Sequence, residues 1–340
     1  MLMYRWDELD AGHLPSLDAP EWSRRREEIL SRWLPVVGDL PALCEPTYQV
    51  LADEQACDHR RLHIVFPTAD DDQVPALLLL PETPGPWPAM LALHPTSDDG
   101  KGDIAVPSGR DNRRYGLELV QRGYAVLAPD AITAGERVGP GDSPFHTARF
   151  VDDHPRLSPV GKMMADHRQA VSVLGSVPGV DGTRIGVIGH SLGGYNGWFL
   201  AGLDGRVKAV VSSCGFVTFA GDPDRQRWGE RDWFSHFPAL TPMLGRGLVP
   251  FEFHEILALV APRPLFTWLA LQDEYFPNWP QSTRALDQVW DLYRALGAAD
   301  AMATWVGHGG HDFPAPVREA AYAFLDRHLG PATAIAAVTP

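Results

Sequence analysis

Three stretches carry side chains able to act together as a nucleophile and its activators. The first is RIGVIGHSLGGYNG, residues 184–197, with Ser191 between Gly189 and Gly193. Ile185, Val187 and Ile188 read as a short buried strand, and the pattern through Trp198, Phe199 and Leu200 reads as a helix. A strand that feeds a helix through Gly-x-Ser-x-Gly is a nucleophile elbow, a tight turn that lifts the serine off the sheet. A serine hydroxyl is a weak nucleophile at neutral pH, so it needs a base, and the base needs an orienting carboxylate. The second stretch, FTWLALQDEYFP, ends a strand at Asp273, with Glu274 beside it. The third, WVGHGGHDFP, ends the last strand in a glycine-rich loop with His308 and His311. Asp273 is the preferred acid because it lies nearer the strand end. His311 is the preferred base because Gly309-Gly310 lets the loop turn after His308 and present it. Asp130, which ends YAVLAPD, precedes the serine and is assigned a structural or substrate-side role.

An attacked carbonyl also needs donors for its developing oxyanion. One is the N–H of Leu192, at the start of the helix after the serine. The second is expected from the loop LALHPTSDDGKGD; Pro95 has no N–H, which points to Thr96, with Ser97 next. Candidate substrate contacts are His94, Arg137, His190, Trp228 and Trp233. Each has a plainer reading: Arg137 as an ion pair with Glu136 or Asp142, His190 as packing against the neighbouring strand, the tryptophans as core. No carboxylate or cysteine stands at metal-ligand spacing with His308 and His311, so no metal and no cofactor is expected.

These residues need a frame. SRRREEILSRWL predicts a helix within an N-terminal extension, residues 1–46. From residue 47 to about 330, three short β-rich segments precede a regular alternation of strands and helices. That pattern predicts an α/β fold: a mostly parallel central sheet of about eight strands with helices on both faces. In such sheets ligands bind beyond the carboxyl ends of the strands. Two stretches, about 131–159 and 216–255, break the rhythm with Pro, Gly and aromatics and are expected to form lids. Residues 331–340 read as a loose tail.

The chain has 340 residues and a formal net charge of −14. Such a surface repels phosphate backbones and anionic lipid, which argues against nucleic-acid and membrane partners. No apolar run approaches the roughly 20 residues of a membrane span. Cys44, Cys57 and Cys214 show no paired spacing, which fits a reducing compartment and a cytoplasmic location. An exposed aromatic lid would allow pairing with a second copy.

From about residue 47 to 329 the chain resembles the αβ-hydrolase superfamily, in its dienelactone-hydrolase-like or acetyl-xylan-esterase-like branch. The motifs that carry the likeness are LALHPTSDDGKGD, LVQRGYAVLAPD, GERVG, RIGVIGHSLGGYN, VKAVVSSCGF, FEFHEILALVAPRP and GHDFP. The resemblance implies Ser191 as nucleophile, Asp273 as acid and His311 as base, acting on a small carboxylic ester through an acyl-enzyme. Dienelactone hydrolases proper use a cysteine nucleophile, so their substrate is not implied. Two alternatives stay open: the same residues used for C–C or amide hydrolysis or lyase chemistry, and a binding protein without catalysis.

Overall fold

The computed structural model describes residues 3–6, 14, 18–69 and 72–330; the tail after 330 lies outside them. The strands, in chain order, are β1 (Tyr4–Arg5), β2 (Gln49–Gln55), β3 (His59–Pro67), β4 (Gln73–Pro81), β5 (Trp87–Leu93), β6 (Ala125–Pro129), β7 (Val180–His190), β8 (Val207–Ser213), β9 (Leu248–Val249), β10 (Leu265–Ala270) and β11 (Met302–Gly307). Nine of them form one sheet in the order β11-β10-β8-β7-β5-β6-β4-β3-β2, one more strand than the patterning suggests. β5 to β8, β10 and β11 run parallel, while β2, β3 and β4 pair antiparallel at one end. β1 and β9 make a separate two-stranded ribbon.

Strand residues alternate between two cores because successive side chains point to opposite faces. Along β5, Ala89, Leu91 and Leu93 enter one core and Met90 and Ala92 the other. The first core is covered by the helices Pro159–Ser176, Leu192–Leu203 and Trp279–Ala295. The second is covered by Tyr115–Gln121 and Ala315–Leu329.

The N-terminal helix, Ala19–Val37, begins at a capping box in which Asp18 accepts from Glu21 N–H and Glu21 accepts from Asp18 N–H. It is built into the fold: Trp22, Ile29, Trp33, Val36 and Val37 belong to the first core. Among the described residues no helix is long and apolar enough to cross a membrane.

The carboxyl ends of β5, β7, β8, β10 and β11 lie side by side, and their loops are stitched across the sheet. Ser191 N–H donates to Ser213 O at 2.8 Å, Cys214 N–H to Trp268 O at 2.9 Å and Leu271 N–H to Gly307 O at 2.9 Å. Residues 191, 273 and 311, far apart in sequence, all follow strands of this row.

Candidate active site

Ser191 has φ 53° and ψ −117°, a conformation a side-chain-bearing residue rarely adopts. The flanking glycines make it possible. A Cβ on Gly189 would lie 2.2 Å from the carbonyl carbon of Gly193, and one on Gly193 would lie 2.0 Å from Leu93 O. Strand, turn and helix therefore close on each other only with hydrogen at both positions. The turn sends the Ser191 side chain to the wall of a cavity of about 670 Å³ above the strand ends.

His311 borders the same cavity. Its Nδ1 lies 2.9 Å and 2.8 Å from the two carboxylate oxygens of Asp273. With the Nδ1 proton given to Asp273, Nε2 is the ring nitrogen left to accept a proton. Asp273 is almost fully buried. Burial opposes its ionisation, but the hydrogen bonds from His311 and from Phe276 and Tyr275 N–H outweigh it and hold the carboxyl below its ordinary pKa. Arg113 donates from Nη2 to His311 O at 3.2 Å and fixes the backbone beneath the imidazole. Ser191 and His311 share the cavity without a hydrogen bond between them; such bonds commonly tighten only around a substrate.

The competing candidates sit elsewhere. His308 is exposed and contacts Gln272. Glu274 lines the cavity, but its carboxylate accepts the backbone N–H of His311 at 3.2 Å and does not touch the ring. Leu192 N–H opens a helix, where amides have no intrahelical acceptor. Thr96 lines the cavity beside Pro95.

Of the candidate substrate contacts, Trp228 and Trp233 border the cavity. Trp228 is buried and donates its indole N–H to Asp222 at 2.8 Å. Trp233 is partly exposed, with the Arg231 guanidinium 4.5 Å from its ring centre. The other three lie outside the cavity lining. Arg137 is buried and pairs with Asp166 at 2.7 Å and Asp72 at 2.5 Å, so neither a substrate carboxylate nor the expected Glu136 or Asp142 is its partner. His94 is buried beneath the Thr96 loop. His190 is buried, with Nδ1 2.9 Å from Ser213 Oγ and its ring centre 4.8 Å from that of His311. Burial pushes its pKa well down, so it packs against His311 as a neutral ring.

The second long insertion supplies most of the far wall: Asp224, Arg227, Trp228, Arg231, Trp233, Phe234 and His236. The first, at 131–159, lines none of the cavity and props that wall from behind. Phe145 packs edge-on against Phe234, and Thr147 bonds the backbone at Trp233 and Ser235. Tyr195 also borders the cavity, and its hydroxyl lies 2.7 Å from His236 Nε2. Its place four residues after Ser191, one helical turn on, was a readable signal for it.

Among the described residues, Cys214, Asp273 and His311 are the one group of three ligand-type side chains close enough to share a metal ion. Burial, reinforced by Asp273, pushes the Cys214 thiol well above its ordinary pKa and favours the neutral thiol over the thiolate that metals bind.

Residues 74–232 match the model of the dienelactone hydrolase family. Over that stretch, a little under half of the chain, it is similar to that family, and the nine-stranded sheet has the αβ-hydrolase arrangement. The match supports a carboxylic ester hydrolase. It is 27% identical over 301 residues to YtaP of Bacillus subtilis (strain 168), covering 86% of this chain and 96% of that protein. A glucuronoyl esterase from Solibacter usitatus superposes with a TM-score of 0.70 at 21% identity, covering 92% of this chain and 95% of that one. A CE15 glucuronoyl esterase from Teredinibacter turnerae T7901 superposes with a TM-score of 0.64 at 18% identity, covering 92% and 86%. At such identities these two structures speak for the αβ-hydrolase fold alone.

Proposed function

We propose that this αβ-hydrolase cleaves its ester through Ser191, His311 and Asp273. Ser191 Oγ attacks the carbonyl while His311 Nε2 takes its proton. Asp273 holds the imidazole in the required tautomer and stabilises the imidazolium. The N–H groups of Leu192 and Thr96 receive the oxyanion. His311 then protonates the leaving alcohol, and water activated by the same ring clears the acyl-enzyme. The observation that carries the reading is the Asp273–His311 hydrogen bond placed on the cavity that Ser191 enters from its turn.

The cavity wall supports an ester that carries a negative charge. Arg110, Arg113 and Arg227 each face a carboxylate of the protein, Asp103, Asp312 and Asp222 respectively. Arg231 makes no direct ion pair among the described residues, although Asp222 and Asp224 lie near enough to act on its charge; it donates to Phe234 O at 2.8 Å and stacks on Trp233. The three free cysteines fit a reducing, cytoplasmic compartment.

The deciding experiment is Ser191→Ala assayed on a short p-nitrophenyl ester. Turnover falls by about 10⁴-fold or more while circular dichroism stays that of the wild type. A folded variant with wild-type turnover overturns the mechanism.

A further inference from the structure

We propose that His94 and Asp130 are positioning residues that hold the Thr96 amide where the oxyanion develops. This rests on the serine-esterase reading above.

Thr96 lies in the short loop between β5 and the helical turn Gly102–Ala105. No strand partner fixes a loop of this kind, and loops are the mobile parts of a fold. An oxyanion donor, in contrast, must hold its place to a fraction of an ångström. Pro95 cannot donate, so a small slip of this loop loses the second donor.

The loop is pinned at both ends to two consecutive residues just beyond β6. At its start, His94 Nε2 accepts Ala131 N–H at 3.0 Å, and Nδ1 lies 2.7 Å from Pro95 O, to which it donates. The ring is buried, and burial pushes its pKa down, which keeps it in the neutral form that an accepting Nε2 requires. At the loop's end, Asp130 Oδ1 accepts Lys101 N–H at 2.8 Å, and Oδ2 accepts Lys101 Nζ at 2.6 Å and Glu136 N–H at 3.0 Å. Between the pins a turn closes from Gly100 N–H to Ser97 O at 2.9 Å.

Space for the Asp130 carboxylate is made by two glycines in the left-handed region. Gly100 has φ 51° and Gly135 φ 54°. A Cβ on the first would lie 2.3 Å from Oδ1, and one on the second 2.4 Å from it. Two unrelated loops thus give up side chains to enclose one carboxylate. Neither His94 nor Asp130 lines the cavity, whereas Thr96 does. What they share is the loop that does. Asp130 and Thr96 stand in the relation of anchor and donor, with His94 as the second anchor.

The test compares Asp130→Asn and His94→Leu with the wild-type chain, on a p-nitrophenyl ester and on an aryl boronic acid, which mimics the tetrahedral intermediate on Ser191. Rates are expressed per active site titrated with a fluorophosphonate, so misfolded protein does not count. Both variants lose about 10- to 100-fold in kcat with KM changed less than about threefold, and boronate affinity falls by a similar factor. His94→Gln, whose amide oxygen can accept from Ala131, recovers part of the rate lost in His94→Leu; this pair carries the test if Asp130→Asn does not fold. Ser191-dependent turnover with kcat and boronate affinity intact in both His94→Leu and Asp130→Asn overturns the proposal alone. Absence of Ser191-dependent turnover in the wild type overturns the esterase reading and this proposal together.

Discussion

Both carboxylate oxygens of Asp273 lie within 3 Å of His311 Nδ1, while its neighbour Glu274 reaches only the His311 backbone. The two acids are adjacent in sequence and opposite in consequence. Asp273→Asn leaves the shape and reverses the hydrogen-bonding sense at Nδ1, so kcat falls by about 10⁴-fold. Glu274→Gln keeps an acceptor for the His311 amide and stays within about fivefold. Steady-state kinetics of both variants decide the point; a mild effect in the first with a severe one in the second moves the acid to Glu274.

Arg231 is expected to set the charge preference of the cavity, against the nearby carboxylates of Asp224 and Glu274. A monoester of a dicarboxylic acid should be hydrolysed with higher kcat/KM than the neutral ester of the same length. Arg231→Gln should lower kcat/KM for the anionic ester by about tenfold or more through KM, with the neutral ester little changed. Equal losses on both esters would show that the guanidinium only braces Trp233.

Glu252 makes stability fall as pH rises. Burial pushes its carboxyl pKa up to about 7, against the opposing pull of the Phe219, Phe253 and Ala220 amides. The folded chain therefore binds this proton more tightly than the unfolded chain does. The resulting stability is fully present below the ordinary carboxyl pKa and is lost as pH climbs toward and through about 7. Thermal melts between pH 5 and pH 8 should show this decline in the wild type and a flatter profile in Glu252→Gln. Parallel profiles would refute it.

Trp33 tests whether the N-terminal helix is part of the core. The indole is fully buried and its ring lies 5.5 Å from that of Phe199, on the helix that follows Ser191. Trp33→Ala should cost about 3–5 kcal/mol in denaturant unfolding. A loss below about 1 kcal/mol would make the helix an appendage.

Much of this architecture was readable before any coordinates. The strand ahead of Ser191, the tight glycine turn and the strand ends at Asp273 and His311 depend on local pattern, and local pattern is what a sequence displays. Arg137 shows the limit. Its partners Asp72 and Asp166 lie 65 and 29 residues away, and only the folded sheet brings them together. The far wall is harder still. Arg231, His236 and Phe234 come from an irregular segment whose course follows no repeat, so their types were visible while their direction was not. The ribbon of β1 and β9 escapes for another reason: two residues are too few to show a period.

Glu252 has a meaning beyond titration. Its carboxylate receives Phe219 N–H at 2.7 Å and Ala220 N–H at 3.2 Å, and so ties the departure of the second insertion to its return. The two ends of the segment thus meet at one carboxylate. With its ends held there and its aromatic interior packed into the main core, the segment can change its preference for esters by single replacements at cavity-facing positions such as Arg231 and Trp233, while Ser191, Asp273 and His311 stay where they are.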